Sequence, residues 1–225
     1  MNLSPEDIRQ IFIRVFVLVV SVCFHEFGHA FMADRLGDDT PRRQGRLTLN
    51  PLAHADPIGT LLLPTVGAIY AATGRSVGGF GWGKPVQWQP SRVNRKWSMS
   101  TAKILVAFAG PSMNVVLAVL LAGIHTILIK TGTLSLGGEV SRILFYATGT
   151  NFLLFFFNLV PAPPLDGGHI AEGFMPYKHR SAFEQFAKYG PFIVLAIAMI
   201  SPLAKIFTIP AGFCTEKLYV LMGLI

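Results

Sequence analysis

His25-Glu26-Phe27-Gly28-His29 is an H-E-x-x-H pattern. At about 100° per residue on a helix, the two histidines stand one turn apart and about 40° around the axis, so both imidazoles can reach a single metal ion. Glu26 is turned by about 100° from His25, which suits it to flank the metal and take a proton from bound water rather than ligate. Zinc held in this way lowers the pKa of its water to about 7 and supplies a nucleophile at neutral pH. Such a pattern can arise by chance on a soluble surface helix. Here it lies inside an apolar run from Ile11 through Phe31, where a glutamate and two histidines without partners would cost several kcal/mol. The chemistry these residues imply is metal-dependent hydrolysis from within a membrane helix.

A catalytic zinc generally keeps three protein ligands and one open position. Asp166, His54, Asp56, His125 and His169 are the candidates for the third. Asp166 is preferred because it follows a proline-broken helix end and precedes Gly167-Gly168, and irregular backbone at membrane depth must border a cavity. His169 is read either as facing that cavity or as capping local backbone. His125 lies in an apolar run and reads equally well as a hydrogen-bonded core histidine.

The elements that must position these groups are hydrophobic. The 225 residues are 52% hydrophobic and 14% charged, outside the usual soluble balance of roughly 45–50% apolar and about 25% charged. Four runs, Ile11–Phe31, Ile104–Ile129, Ile143–Val160 and Phe192–Ile209, approach the roughly 20 apolar residues that a bilayer core requires. A fifth run, Pro57–Thr73, is shorter, has Pro64 and Gly67 in its middle and is flanked by basic loops on both sides. It reads as a re-entrant segment, with a short transmembrane helix as the competing reading. Gly78–Trp88, with its glycines, aromatics and proline, predicts a small β-hairpin. The tail Ala211–Ile225 is expected to lie along the surface or pack beside Phe192–Ile209. The fold class expected is an all-α polytopic membrane protein. Its helical bundle would carry the zinc site between three core transmembrane helices, with residues 1–225 as one integral-membrane domain.

The formal charge of +7 comes from 19 Lys and Arg against 12 Asp and Glu. The basic residues gather in loops between apolar runs, which marks orientation rather than nucleic-acid binding. Cys23 and Cys214 cannot build a disulfide framework.

H-E-F-G-H in an apolar helix, A-G-P-S-M-N at Ala109–Asn114 and N-L-V-P-A-P-P-L-D-G-G at Asn158–Gly168 together resemble the site-2 protease family of intramembrane zinc metalloproteases. Residues 45–52 (GRLTLNPL), 54–60 (HADPIGT) and 80–85 (FGWGKP) resemble its compact prokaryotic branch, without a PDZ or regulatory domain. The resemblance implies one Zn2+ per chain on His25, His29 and Asp166, with Glu26 activating water. It also implies a catalytic role for Asn114, binding substrate backbone or the developing oxyanion; interhelical hydrogen bonding is the alternative. His54 has no equivalent in the family pattern, and it and Asp56 are expected to fold back at the mouth of the cavity.

If His25, His29 and Asp166 share one metal, the ends of the first and third long runs and the start of the second lie on one membrane side. Charge places that side in the cytoplasm of a multi-pass cell-membrane protein, with the amino terminus outside. The expected substrates are transmembrane proteins or peptides, unwound locally because a helix hides its carbonyls in its own hydrogen bonds. A non-catalytic zinc-binding membrane protein or metal transporter is the alternative, and it predicts tolerance of Glu26→Gln.

Overall fold

The computed structural model describes residues 3–72 and 81–225, and among them it is helical with no strand. α1 (Pro5–Arg35) starts at a capping box in which Ser4 Oγ accepts the Asp7 N–H and Asp7 Oδ2 accepts the Ser4 N–H. This satisfies donors that the first turn of a helix leaves free. Two one-turn helices follow, α2 (Thr40–Arg43) and α3 (Pro51–His54). A wide π-type coil, Pro57–Leu62, then runs into α4 (Leu63–Ala72). Residues 81–98, irregular apart from one 3-10 turn at Pro90–Arg92, lead into the long helices α5 (Met99–Lys130) and α6 (Glu139–Asn158), then short α7 (Asp166–Phe174), α8 (Arg180–Met199) and α9 (Ser201–Leu221).

Three of these helices, α1, α5 and α6, are long and apolar enough to cross a membrane, while α8 and α9 reach that length only as a pair, bent by 70° where they meet. Their packing follows membrane rules. On α5 the buried face is built from Ala102, Ala109, Gly110, Ala118 and Ala122, whereas Phe108, Val116, Leu120, Ile124 and Ile127 are exposed. Lipid removes the hydrophobic incentive to hide large side chains, so small residues serve close helix approach and bulky ones face outward.

Helix directions follow from contacts at the two ends. Arg9, near the start of α1, pairs with Glu139 at the start of α6, so these two run parallel. The Asn94 N–H donates to Leu36 O at the end of α1 (2.8 Å), which sets the start of α5 beside it and makes α5 antiparallel. α9 runs back along α6, from the edge contact of Phe207 with Phe157 to the hydrogen bond of Tyr219 with Thr148 (3.2 Å). The ends of α1 and α6 and the start of α5 thus share one side.

The apolar run Phe192–Ile209 was expected as one span, but it is divided. α8 stops at Met199, Ile200 is extended (φ −86°, ψ 105°) and α9 starts at Ser201 in a new direction. Pro202 stands in the first turn of α9, where its missing N–H needs no acceptor, which suits a new helix start there. The tail from Ala211 continues α9 and seats Tyr219 in the bundle, fully buried.

Two further expectations are adjusted. Pro57–Ala72 is one continuous helical stretch, capped by Asp56 Oδ1, which accepts the N–H groups of Ile58 (3.0 Å) and Gly59 (2.6 Å). The Trp82 N–H then donates to Gly59 O (3.1 Å) and Thr60 Oγ donates to Trp82 O (2.7 Å), so by residue 82 the chain is back beside the helix start. Of the hairpin expected over Gly78–Trp88, residues 78–80 lie outside the described residues, and 81–88 forms no strand. Its polar backbone groups bond instead to Gly59, Thr60, His54, Arg46 and Glu26, which leaves no ladder to a second strand.

Candidate metal centre

His25 and His29 lie one turn apart in the last third of α1, and Asp166 opens α7 just beyond α6. Asp166 reaches them because Leu159–Leu165 folds tightly over the start of α7. A side chain on Gly167 would strike the carbonyls of Leu159 and Val160, and one on Gly168 would strike the backbone of Pro163. Gly110 on α5 is needed for a similar reason, since a Cβ there would collide with the His29 ring.

His25 Nε2 is 3.1 Å from His29 Nε2 and 3.1 Å from Asp166 Oδ2, and His29 Nε2 is 3.4 Å from Asp166 Oδ1. With zinc–ligand bonds of about 2.0–2.1 Å, a tetrahedral face has edges of about 3.3 Å. Hydrogen bonds on the far side of each ring fix the tautomers. His25 Nδ1 donates to Asn114 Oδ1 (2.8 Å) and His29 Nδ1 donates to Val106 O (2.8 Å). Both acceptors lack a hydrogen, so each Nε2 presents a lone pair, and the two lone pairs point at each other and at a carboxylate. Asp166 Oδ2 is buried without a hydrogen-bond donor. A cation is the group that satisfies all three, and this donor set fits zinc with its usual carboxylate–histidine support.

Glu26 is 8% exposed, and its Oε2 accepts the Val86 N–H (3.2 Å). With His25, His29 and Asp166 it lines a cavity of about 730 Å³, otherwise walled by Trp82, Val86, Trp88, Phe157, Pro191 and Val194.

Asn114 is fully buried behind His25 and does not line the cavity. Its Nδ2 donates to Ser21 O (3.1 Å) and to Asn151 Oδ1 (3.0 Å), while Asn151 Nδ2 donates to Ser21 Oγ (3.0 Å) and Ala147 O (2.9 Å). With both of its N–H groups engaged, Asn114 has no donor left for substrate, and its geometry is that of interhelical support for a ligand. Ser21 and Asn151 were not anticipated from sequence, although each is a polar residue within an apolar run. Asn158 also lines the cavity and was missed as a site residue, though it ends the run that leads to Asp166.

The other candidates for the third ligand stay outside the cluster. His54 is fully buried, with Nε2 donating to Thr48 O (2.8 Å) and its imidazole held below the ordinary value by burial. Asp56 caps the Pro57 helix. His125 bonds Tyr219 Oη (2.9 Å) and Ser141 Oγ (2.8 Å) at the opposite end of the bundle, tying α5, α6 and α9 together. His169 is half-exposed in the cavity wall beside Glu172, which accepts from Lys103 Nζ (2.6 Å).

Comparison with known proteins gives one family and a consistent set of relatives. The model of peptidase family M50 matches residues 13–135 and 122–201. "Putative zinc metalloprotease YwhC" of Bacillus subtilis is 36% identical over 203 residues, covering 85% of this chain and 81% of that protein. "Putative zinc metalloprotease Rip2" of Mycolicibacterium smegmatis is 33% identical over 213 residues, covering 89% of this chain and 73% of its own. The protein of the same name in Mycobacterium tuberculosis H37Rv is 33% identical over 194 residues, covering 84% and 68%. No solved structure matches the chain at a significant level.

Proposed function

The chain belongs to peptidase family M50, the site-2 protease family, and from that premise we propose that it is a zinc endopeptidase hydrolysing peptide bonds within or near transmembrane segments of membrane-protein substrates. The observation that carries this reading is the meeting of two imidazole Nε2 atoms and a carboxylate, 3.1–3.4 Å apart, in the wall of a cavity that Glu26 also lines. His25, His29 and Asp166 would hold one zinc per chain, which when bound polarises a carbonyl and acidifies a water ligand. The Glu26 carboxylate accepts the proton of the attacking water and returns it to the leaving amine. Asn114 is a positioning residue in this scheme, since it fixes the tautomer and ring angle of His25. The apolar lining thins bulk water around the carboxylate and strengthens its interactions.

Residues 1–225 act as a single membrane domain in this reading, with the metal centre toward the cytoplasm and the amino terminus outside. The charge pattern supports that orientation. Arg42, Arg43, Arg92, Arg95 and Lys96 gather at the metal end of the bundle, where α1 ends and α5 begins, and cationic loops favour the cytoplasmic side. The bilayer is the working environment, and nucleic acid is no partner.

A bound span must be extended before cleavage, and the irregular segment 81–88 offers it backbone groups along the cavity wall. Substrate helicity therefore governs rate. In proteoliposomes, a single-span peptide with a central Gly-Pro pair is expected to be cut at least about tenfold faster than its polyleucine counterpart, because proline inside a helix costs about 3 kcal/mol. Equal rates for the two peptides would contradict the reading.

A further inference from the structure

Arg46 is a buried cation without an acidic partner among the described residues. It lies between α2 and α3, 6% exposed, and its guanidinium bonds only to backbone. Nη1 donates to Ala53 O, and Nη2 donates to Lys84 O (3.1 Å) and Pro85 O (3.0 Å). The Lys84 N–H is held from the same loop, donating to His54 O (2.8 Å). Burying a guanidinium among carbonyls is costly unless the arrangement does something that a neutral side chain would not.

The Pro85 carbonyl and the Val86 N–H belong to one peptide unit. That unit is planar, and in its trans form the carbonyl and the N–H point in opposite directions. Arg46 grips the carbonyl, and the Val86 N–H on the far edge donates to Glu26 Oε2 (3.2 Å). The peptide plane therefore connects a fixed cation to the carboxylate. Gly83 allows this approach, because a side chain there would press on Val22 and meet Glu26. A cation on the carbonyl also polarises the peptide and strengthens its N–H as a donor, as in other hydrogen-bond chains.

We infer that Arg46 is a positioning residue for the hydrolytic reaction, acting through the Pro85–Val86 peptide to hold the Glu26 carboxylate in its working orientation. The inference rests on the reading of Glu26 as general base. Lysine cannot replace Arg46, since an ammonium has no planar fork to span Ala53, Lys84 and Pro85. Removing the Val86 N–H alone should have the same consequence as loosening Arg46.

The test uses the full-length, zinc-loaded protein in proteoliposomes with a quenched-fluorescent single-span peptide carrying a central Gly-Pro pair. Arg46→Lys and Val86→Pro are each expected to lower kcat about tenfold, the scale of one hydrogen bond to a charged group. Zinc per chain should stay at the wild-type value in both variants, and KM in Arg46→Lys; Val86 lines the cavity, so Val86→Pro is read on kcat. The double variant should be no slower than the slower single variant, because both changes act through one donor. If Arg46→Lys does not fold, Val86→Pro alone decides. A wild-type kcat in Val86→Pro, multiplicative losses in the double variant, or losses that track zinc content would overturn the inference. Glu26→Gln run in parallel separates the two levels. If it retains turnover, the general-base reading fails; if it is inert while Val86→Pro is normal, the Arg46 inference alone fails.

Discussion

Glu26→Gln is expected to reduce cleavage by about 10²–10⁴-fold, the usual contribution of a positioned general base, while zinc stays bound at the wild-type level. The amide keeps the size and one acceptor oxygen of the carboxylate, so the Val86 N–H retains its partner. It cannot take a proton at neutral pH. The proposed metal cluster should be indifferent to the change, since the group that could hold the ion is His25, His29 and Asp166 and Glu26 stands beside it. Turnover together with metal analysis of the same preparation checks both halves. Retained cleavage would remove Glu26 as the general base, whereas a wild-type protein that binds zinc but cuts no peptide would favour a zinc-binding membrane protein or transporter. Loss of zinc would make Glu26 a ligand.

Asp166→Ala should instead remove the metal. Its carboxylate is the only anionic member of the cluster, and the two histidines left behind are too few for a closed three-ligand face. Disturbing outer-shell partners of zinc typically costs about 10–100-fold in affinity, so removal of a ligand should cost more than about 100-fold. Asn114→Ala belongs to the outer-shell class by its bond to His25 Nδ1 (2.8 Å). The expected order of zinc affinity is wild type, then Asn114→Ala, then Asp166→Ala, and competitive titration with a chromogenic chelator reads it. Equal affinity in wild type and Asp166→Ala would remove Asp166 from the site.

The chemistry of this protein was more legible in its sequence than its architecture was. Two histidines one turn apart carry their geometry with them, because helix periodicity alone brings their rings together. Asp166 was legible for a different reason. Prolines 161, 163 and 164 end the helix, and backbone without regular hydrogen bonds must find a cavity. By contrast, the apolar composition that marks a membrane segment is the same on both sides of Ile200, so the division of Phe192–Ile209 into two helices left no compositional signal. Gly78–Trp88 has the composition of a hairpin, but pairing is a tertiary property. In its described part the backbone groups found nearer partners on α3, the Pro57 coil, Arg46 and Glu26. Asn114 was found from its motif, but its orientation depends on Asn151 and Ser21 from two other helices, distant in sequence and visible only once the bundle is assembled.

Cleavage within a membrane span, as proposed for the His25–His29–Asp166 centre, would leave new termini inside the apolar stretch of a substrate. Mass spectrometry of the products formed from a reconstituted single-span substrate tests it most directly, with zinc-loaded protein, chelator-stripped protein and stripped protein given zinc back. New termini inside the apolar stretch are expected, absent after stripping and restored by zinc. Termini confined to the substrate's aqueous flanks, or the same products from stripped protein, would contradict it.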